Sequence, residues 1–290
     1  MAQSRSFFGL RKGSTKSLTF QVLNGKQITK ERVYQVKNPQ TIAQMQQRAL
    51  MATASRAYSA LKVICDHSFE GVEIGAKSMA EFIKLNLAYL SKDAPQINLT
   101  EYKVGNYVDN FYQISKGSLP QPETDYTKAT GFVVNTGLKK KESNPKWSEI
   151  ADSMGIKKDG MLTFVLTSGS ECYWLRIKFN NAMWDKEAVI GQSNISQLAA
   201  MSAIEGNSFV FEDYLTLDNS TDNFKFKLQT MEDEMAAVIV SEKAEGVWKR
   251  SNARLEGELT FMYDAAFSTY PINTTLLLNG GKMTTNIIKK

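Results

Sequence analysis

The chain has 290 residues, 42% of them hydrophobic and 22% charged, with a formal net charge of +5. This is ordinary globular usage, which excludes a disordered or fibrous chain, and the length allows one large core or two ordinary ones. No window approaches the roughly 20 uninterrupted apolar residues that span a bilayer, so no membrane partner is expected.

Charge is unevenly spread. Residues 1–62 hold eleven basic side chains and one acid, Glu31, a net +10, whereas the remaining 24 basic and 29 acidic residues carry −5. Such asymmetry marks a basic arm directed at nucleic acid, an anionic surface or an acidic neighbouring copy. The start, with Phe7-Phe8-Gly9-Leu10-Arg11-Lys12, has no apolar h-region, so secretion through a signal peptide is not expected. The Asn-x-Ser/Thr sequons at Asn98, Asn194, Asn219 and Asn273 then carry little meaning. Cys65 and Cys172, with no CxxC, read as small buried hydrophobes of a reducing compartment.

In chain order, residues 1–16 read as a flexible arm. Leu18, Phe20 and Val22 alternate with polar residues up to Asn24-Gly25, whose pairing suits a type I′ turn, so a β-hairpin is expected. Two strands alone are marginal in water, so the hairpin must pack on something. Asn38-Pro39 then opens a long helix running to about Cys65, some 40 Å at 1.5 Å per residue. Its apolar stripe is Leu50, Ala54, Ala57, Leu61 and Ile64, with Gln44, Gln47, Arg48, Ser55, Ser59 and Lys62 opposite. A second helix, about Ala76 to Leu90, buries Met79, Phe82, Ile83, Leu87 and Leu90.

From Asp93 the pattern changes to period two. Strands are expected at Phe111–Ser115, Gly131–Thr136, Met161–Thr167, Cys172–Phe179, Phe224–Leu228, Ala236–Ser241, Arg254–Tyr263 and around Asn279-Gly280, with a short helix after Asn144-Pro145. Pro120-Gln121-Pro122 reads as a boundary. The expected fold is α+β: a basic arm and hairpin (1–37), a helical hairpin with first strands (38–120), and a mainly antiparallel, immunoglobulin-like sandwich (121–290).

Chemistry-bearing motifs are sparse. The one histidine, His67, stands at a helix end, where imidazole can meet the last carbonyls. One His and two distant Cys cannot assemble a usual zinc site. Gly280-Gly281-Lys282-Met283 lacks the hydroxyl of a P-loop, and Gly9 to Thr15 could cradle an anion but leads into no helix. Asp218, Ser220 and Asp222 have calcium-loop spacing, but Asn223 and Gln229 stand where Gly and Glu belong. Glu232-Asp233-Glu234 reads as a solvated turn. No catalytic, metal or cofactor residue is assigned, and a carboxylate pair stays open because such pairing is three-dimensional. Trp174 with Arg176 and Lys178 on one strand face, opposite Cys172, could stack bases.

Three phrases resemble an uncharacterised family of Bacteroidetes bacteria and their phages and mobile elements. They are Lys37-Asn38-Pro39-Gln40-Thr41 with Gln44 and Gln47-Arg48, Tyr112 to Leu119 with its Ile-Ser-x-Gly-x-Leu character, and Ala236 to Ser241 with Trp248-Lys249-Arg250-Ser251. The resemblance implies a prokaryotic or phage context and a helical hairpin before immunoglobulin-like β structure, but no activity. The resulting expectation is a non-catalytic structural component of a phage particle or similar assembly, located in the virion or host cytoplasm. Its partners are copies of itself, other assembly proteins or nucleic acid. Phe7, Phe8, Arg11, Lys12, Lys16, Phe20, Lys26, Lys30 and Arg32 are the candidate interface or anion-contact residues, because unpartnered aromatics and cations are what an arm offers a neighbour. The alternative is a cytosolic, sequence-nonspecific nucleic-acid-binding accessory protein.

Overall fold

The computed structural model describes residues 13–23, 26–32, 50–51, 54–93, 111–140, 144–168, 171–188, 195–218, 222–230 and 234–257. They fall into two compact units, one up to Thr41 and one from Ile42 onward. The class is α+β, with mostly antiparallel strands in several sheets.

In the first unit β1 (Gly13–Ser14), β2 (Leu18–Leu23) and β3 (Lys26–Glu31) form a three-stranded antiparallel sheet. Register runs from Leu18 opposite Glu31 to Leu23 opposite Lys26; Asn24-Gly25 lies outside the described residues. Period two puts Leu18, Phe20 and Val22 on one face and sends Lys30 to the other. Among this unit's described side chains none is buried: Phe20, Val22 and Ile28 are half-buried and Leu18 is exposed.

The second unit begins, among described residues, with helix. Residues 50–51 and α1 (54–60) are helical, and Leu61, at φ −84° and ψ 5°, separates α1 from α2 (Lys62–Cys65). Asn38-Pro39 lies outside the described residues. The stripe Leu50, Ala54, Ala57, Leu61 and Ile64 is buried. In α3 (Ala76–Asp93) the deepest row is Ser78, Phe82, Asn86 and Leu90, at strict i, i+4 spacing, and Met79, Ile83 and Leu87 are only half-buried. The row expected from apolar positions alone is thus rotated, because two of its true members are polar. Both are satisfied: Ser78 Oγ donates to Glu73 O at 3.0 Å, and Asn86 bonds the strand beyond.

β4 (Gln113–Ser115) pairs with β14 (Ala253–Arg254). A four-stranded sheet follows the order β10 (Leu215–Asp218), β11 (Asn223–Leu228), β6 (Gly131–Lys139), β5 (Glu123–Thr127). The largest sheet runs β13 (Val247–Arg250), β12 (Glu234–Ala244), β7 (Met161–Ser168), β8 (Glu171–Lys178), β9 (Ile204–Gly206), with β15 (Glu256–Gly257) also on β12. Helices α4 (Trp147–Ser153), α5 (Asn181–Trp184), α6 (Ile195–Ala200) and α7 (Ser208–Tyr214) interrupt the strands, three of them where only strands and loops are expected from the sequence.

The large sheet is buried on both faces. Leu162, Phe164 and Leu166 of β7 and Ala236, Val238 and Val240 of β12 join Phe132, Val134, Trp147 and Phe226 in one core. There Phe164 meets Phe226 edge-on at 5.5 Å, and Trp147 stacks on Phe226 at 6.4 Å. The intervening residues, Val165 of β7 and Met235, Ala237 and Ile239 of β12, join Leu61, Ile64, Phe82, Tyr112 and Ile114 in the other. This second core takes residues from both sides of Pro120-Gln121-Pro122.

Candidate functional site

On the face of the large sheet that shares a core with Leu61, Ile64 and Phe82, the α2 end and four strands enclose a groove of about 230 Å³. Its floor is Thr163 of β7 and Ser241 of β12; His67 borders one side, and Arg176, Arg250 and Trp248 the rest. Period two builds one wall. Cys172, Trp174, Arg176 and Lys178 share a face of β8, while Tyr173 meets the opposite core. Cys172 therefore lies on the same side as Trp174 and Arg176; the expectation that it faces the other way is incorrect, since residues two apart share a face.

The Arg176 guanidinium sits 5.1 Å from the Trp174 ring centre. Its Nε donates to Thr163 Oγ1 at 3.5 Å and its Nη1 to Glu205 Oε2 at 3.4 Å. Glu205, which faces Arg176 across the β8–β9 register, also takes an ion pair from Lys178. Hydrogen bonding from Lys178, with both cations nearby, holds the Glu205 carboxyl below the usual carboxylate range despite its partial burial.

The other wall is β13. The turn before it has Glu245 at φ 52° and Gly246 at φ 83°, the double positive φ that a tight hairpin requires. Arg250 lies 5.0 Å over the Trp248 ring, donates through Nε to His67 O at 2.8 Å and through Nη1 to Lys249 O at 3.1 Å. Its backbone is clamped from the far side. Glu70 accepts from Arg250 N at 3.2 Å and from Ser118 N at 2.8 Å, and Leu119 N donates to Arg250 O at 2.8 Å. Gly117 makes this approach possible, for a Cβ there would stand 2.2 Å from Arg250 O. Burial alone would raise the Glu70 carboxyl, yet these donors hold it below its ordinary value. Arg250 is pulled down to about 10, first by burial and then by the positive charge of Arg176. Two cations thus share one groove, each backed by an indole. Nη2 of each makes no hydrogen bond among the described residues.

Of the residues expected at an interface, Phe7, Phe8, Arg11 and Lys12 lie outside the described residues. Lys16 is exposed between β1 and β2, Phe20 is half-buried on β2, and Lys26 pairs with Leu23 at the start of β3. Lys30 and Arg32 are exposed, with Arg32 Nη1 donating to Thr15 O at 3.3 Å. The described members gather on one small sheet, and none lines the groove. Trp248 and Arg250 escape site assignment by sequence reasoning. Their signal, an aromatic and a cation alternating after Glu245-Gly246, is the same as that of any edge strand.

His67 is exposed, and its recorded bond to the helix end is the backbone N–H to Ile64 O at 3.1 Å. Asp218 pairs with Lys227 at 2.5 Å. Among the described residues no three His, Cys, Asp or Glu stand together to hold a metal ion. Nor, among them, is any helix long and apolar enough to cross a membrane. Cys65 and Cys172 are free thiols whose pKa burial raises, and Cys172 packs against the core that holds Cys65. Comparison with protein-family models, curated proteins and solved structures finds no match.

Proposed function

We propose that the chain is a non-catalytic structural component of a phage particle or comparable assembly, and that its basic N-terminal unit contacts neighbouring subunits or nucleic acid. One observation carries the reading: the β1–β2–β3 sheet buries none of its described side chains, yet presents Leu18, Phe20 and Val22 on one face and Lys30 on the other. A small sheet needs its apolar face covered to be stable, and a neighbouring copy with an acidic remainder supplies both cover and opposite charge. An immunoglobulin-like sandwich as the body, location in the virion or host cytoplasm, and kinship with the uncharacterised Bacteroidetes and phage family belong to the same proposal.

The test is removal of residues 1–37, with folding checked by circular dichroism and assembly followed by light scattering and electron microscopy. The expected result is a folded chain that no longer assembles. Assembly equal to that of the whole chain overturns the reading. A second reading, a cytosolic sequence-nonspecific nucleic-acid-binding accessory protein, draws on the arginine-lined groove. It is favoured if the whole chain purifies as a monomer whose mobility changes with DNA.

A further inference from the structure

We infer that the groove between the α2 end and β13 is a binding site for single-stranded nucleic acid, which seats one nucleotide with its base on Trp248 and its phosphate on Arg176 and Arg250. This goes beyond the assembly reading, because the described residues that line the groove all belong to the second unit.

Three features converge. The first is charge placed against its own interest. Two guanidinium groups border one concavity, and each spends Nε and Nη1 on protein acceptors while Nη2 is left without a described acceptor. A phosphate with several acceptor oxygens fits two such forks and relieves their mutual repulsion. The second is the aromatic partner. Trp248 keeps 37% of its surface exposed, although a tryptophan on a short strand beside a core has every reason to bury more. An exposed indole next to cations forms a stacking platform that serves any base. The third is rigidity. Glu70, Leu119 and Gly117 fix the Arg250 backbone, and Thr163 and Glu205 fix the Arg176 head, so little side-chain freedom is lost on binding.

The size and openness of the groove select the class of ligand. At about 230 Å³ it is smaller than pockets that enclose a whole drug-sized molecule, so it suits one unit of a chain that continues along the surface. A duplex keeps its bases stacked inside and cannot offer one to Trp248. An acidic peptide could use the arginines but has no use for the indole.

The test uses the full chain, a labelled single-stranded oligothymidylate, a duplex of equal length, and thymidine monophosphate as competitor. Trp248→Ala is expected to weaken single-strand binding roughly tenfold, the size of one lost base stack, and Trp248→Phe to restore most of it. Duplex affinity is expected to stay unchanged in both, because a duplex offers no unstacked base to Trp248. Arg250→Gln is expected to reduce the salt slope of single-strand binding by about 0.7, one phosphate contact. Should that variant misfold by circular dichroism, Trp248→Ala at its exposed position decides alone. Single-strand affinity indifferent to Trp248→Ala, or an equal loss on duplex, overturns the site. Monophosphate that competes as well as the strand, phosphate for phosphate, reassigns the groove to a free nucleotide and overturns the strand proposal.

Discussion

Asn86 and Gln113 bond each other twice: Asn86 Nδ2 donates to Gln113 O at 3.0 Å, and Asn86 Oδ1 accepts from Gln113 N at 2.8 Å. A side-chain amide thereby imitates a strand neighbour and fastens β4 to α3. Replacing it with an apolar isostere leaves a half-buried N–H and carbonyl of Gln113 without this partner. Asn86→Leu is expected to cost about 2–4 kcal/mol, read as a fall in the urea midpoint. No change in midpoint would show that water takes over both bonds.

Leu61 stands at the junction of α1 and α2 and is fully buried beside Ile64 and Phe82. Leu61→Asp places an unpaired charge in that core and is expected to abolish folding, whereas Leu61→Ala costs about 2–5 kcal/mol. Circular dichroism and soluble yield separate the two outcomes. A soluble, native-like Leu61→Asp protein would mean that the helices do not pack as described.

Two glycines beside the groove serve different needs, and alanine tests both. At Gly117 the new Cβ meets Arg250 O at 2.2 Å. At Gly206 it meets Trp174 O at 2.2 Å on a backbone with φ +113°. Gly117→Ala is expected to cost about 1–3 kcal/mol from crowding alone. Gly206→Ala is expected to cost more, because left-handed strain adds to the clash. Thermal melts of the two variants check the order.

Cys172 is pushed up to about 12 by burial, and burial raises Cys65 as well. Both thiols therefore stay protonated and inert towards disulfide reagents at about pH 8 until the chain unfolds. The folded state holds these protons more tightly than the unfolded state does. Their contribution is complete below the thiol's ordinary value of 9.0 and is lost as pH climbs towards about 12. Denaturant midpoints measured across that window are expected to fall, and Cys172→Ala to flatten the fall.

Much of the architecture was readable where polarity and geometry agree. The stripe from Leu50 to Ile64 and the strand at 223–228 follow from spacing alone. The phase of α3 is not legible from apolar counting, because Ser78 and Asn86 are buried through hydrogen bonds that such counting does not register. Met161 to Leu166 and Met235 to Val240 are near-continuous apolar runs rather than alternating ones, the mark of a strand covered on both sides. The groove was the least legible. Trp248 and Arg250 meet Arg176 only through the pairing of β13, β12, β7 and β8, an order that no local pattern encodes.

The double burial of β12 also bears on how the chain finds its register. In a sheet with one wet face, a slip of one residue sends apolar side chains into water, and solvent corrects the error. Along β12 both alternatives are greasy: Ala236, Val238 and Val240 would simply exchange places with Met235, Ala237 and Ile239. Discrimination then falls to volume and to a few polar latches, chiefly Ser251, whose N–H donates to Val240 O and whose Oγ accepts from Val240 N, both at 2.9 Å. A single hydroxyl just past the end of β13 thus acts as a proofreading mark for a misthreading that water cannot detect, and a chain without it is liable to settle one notch out of step.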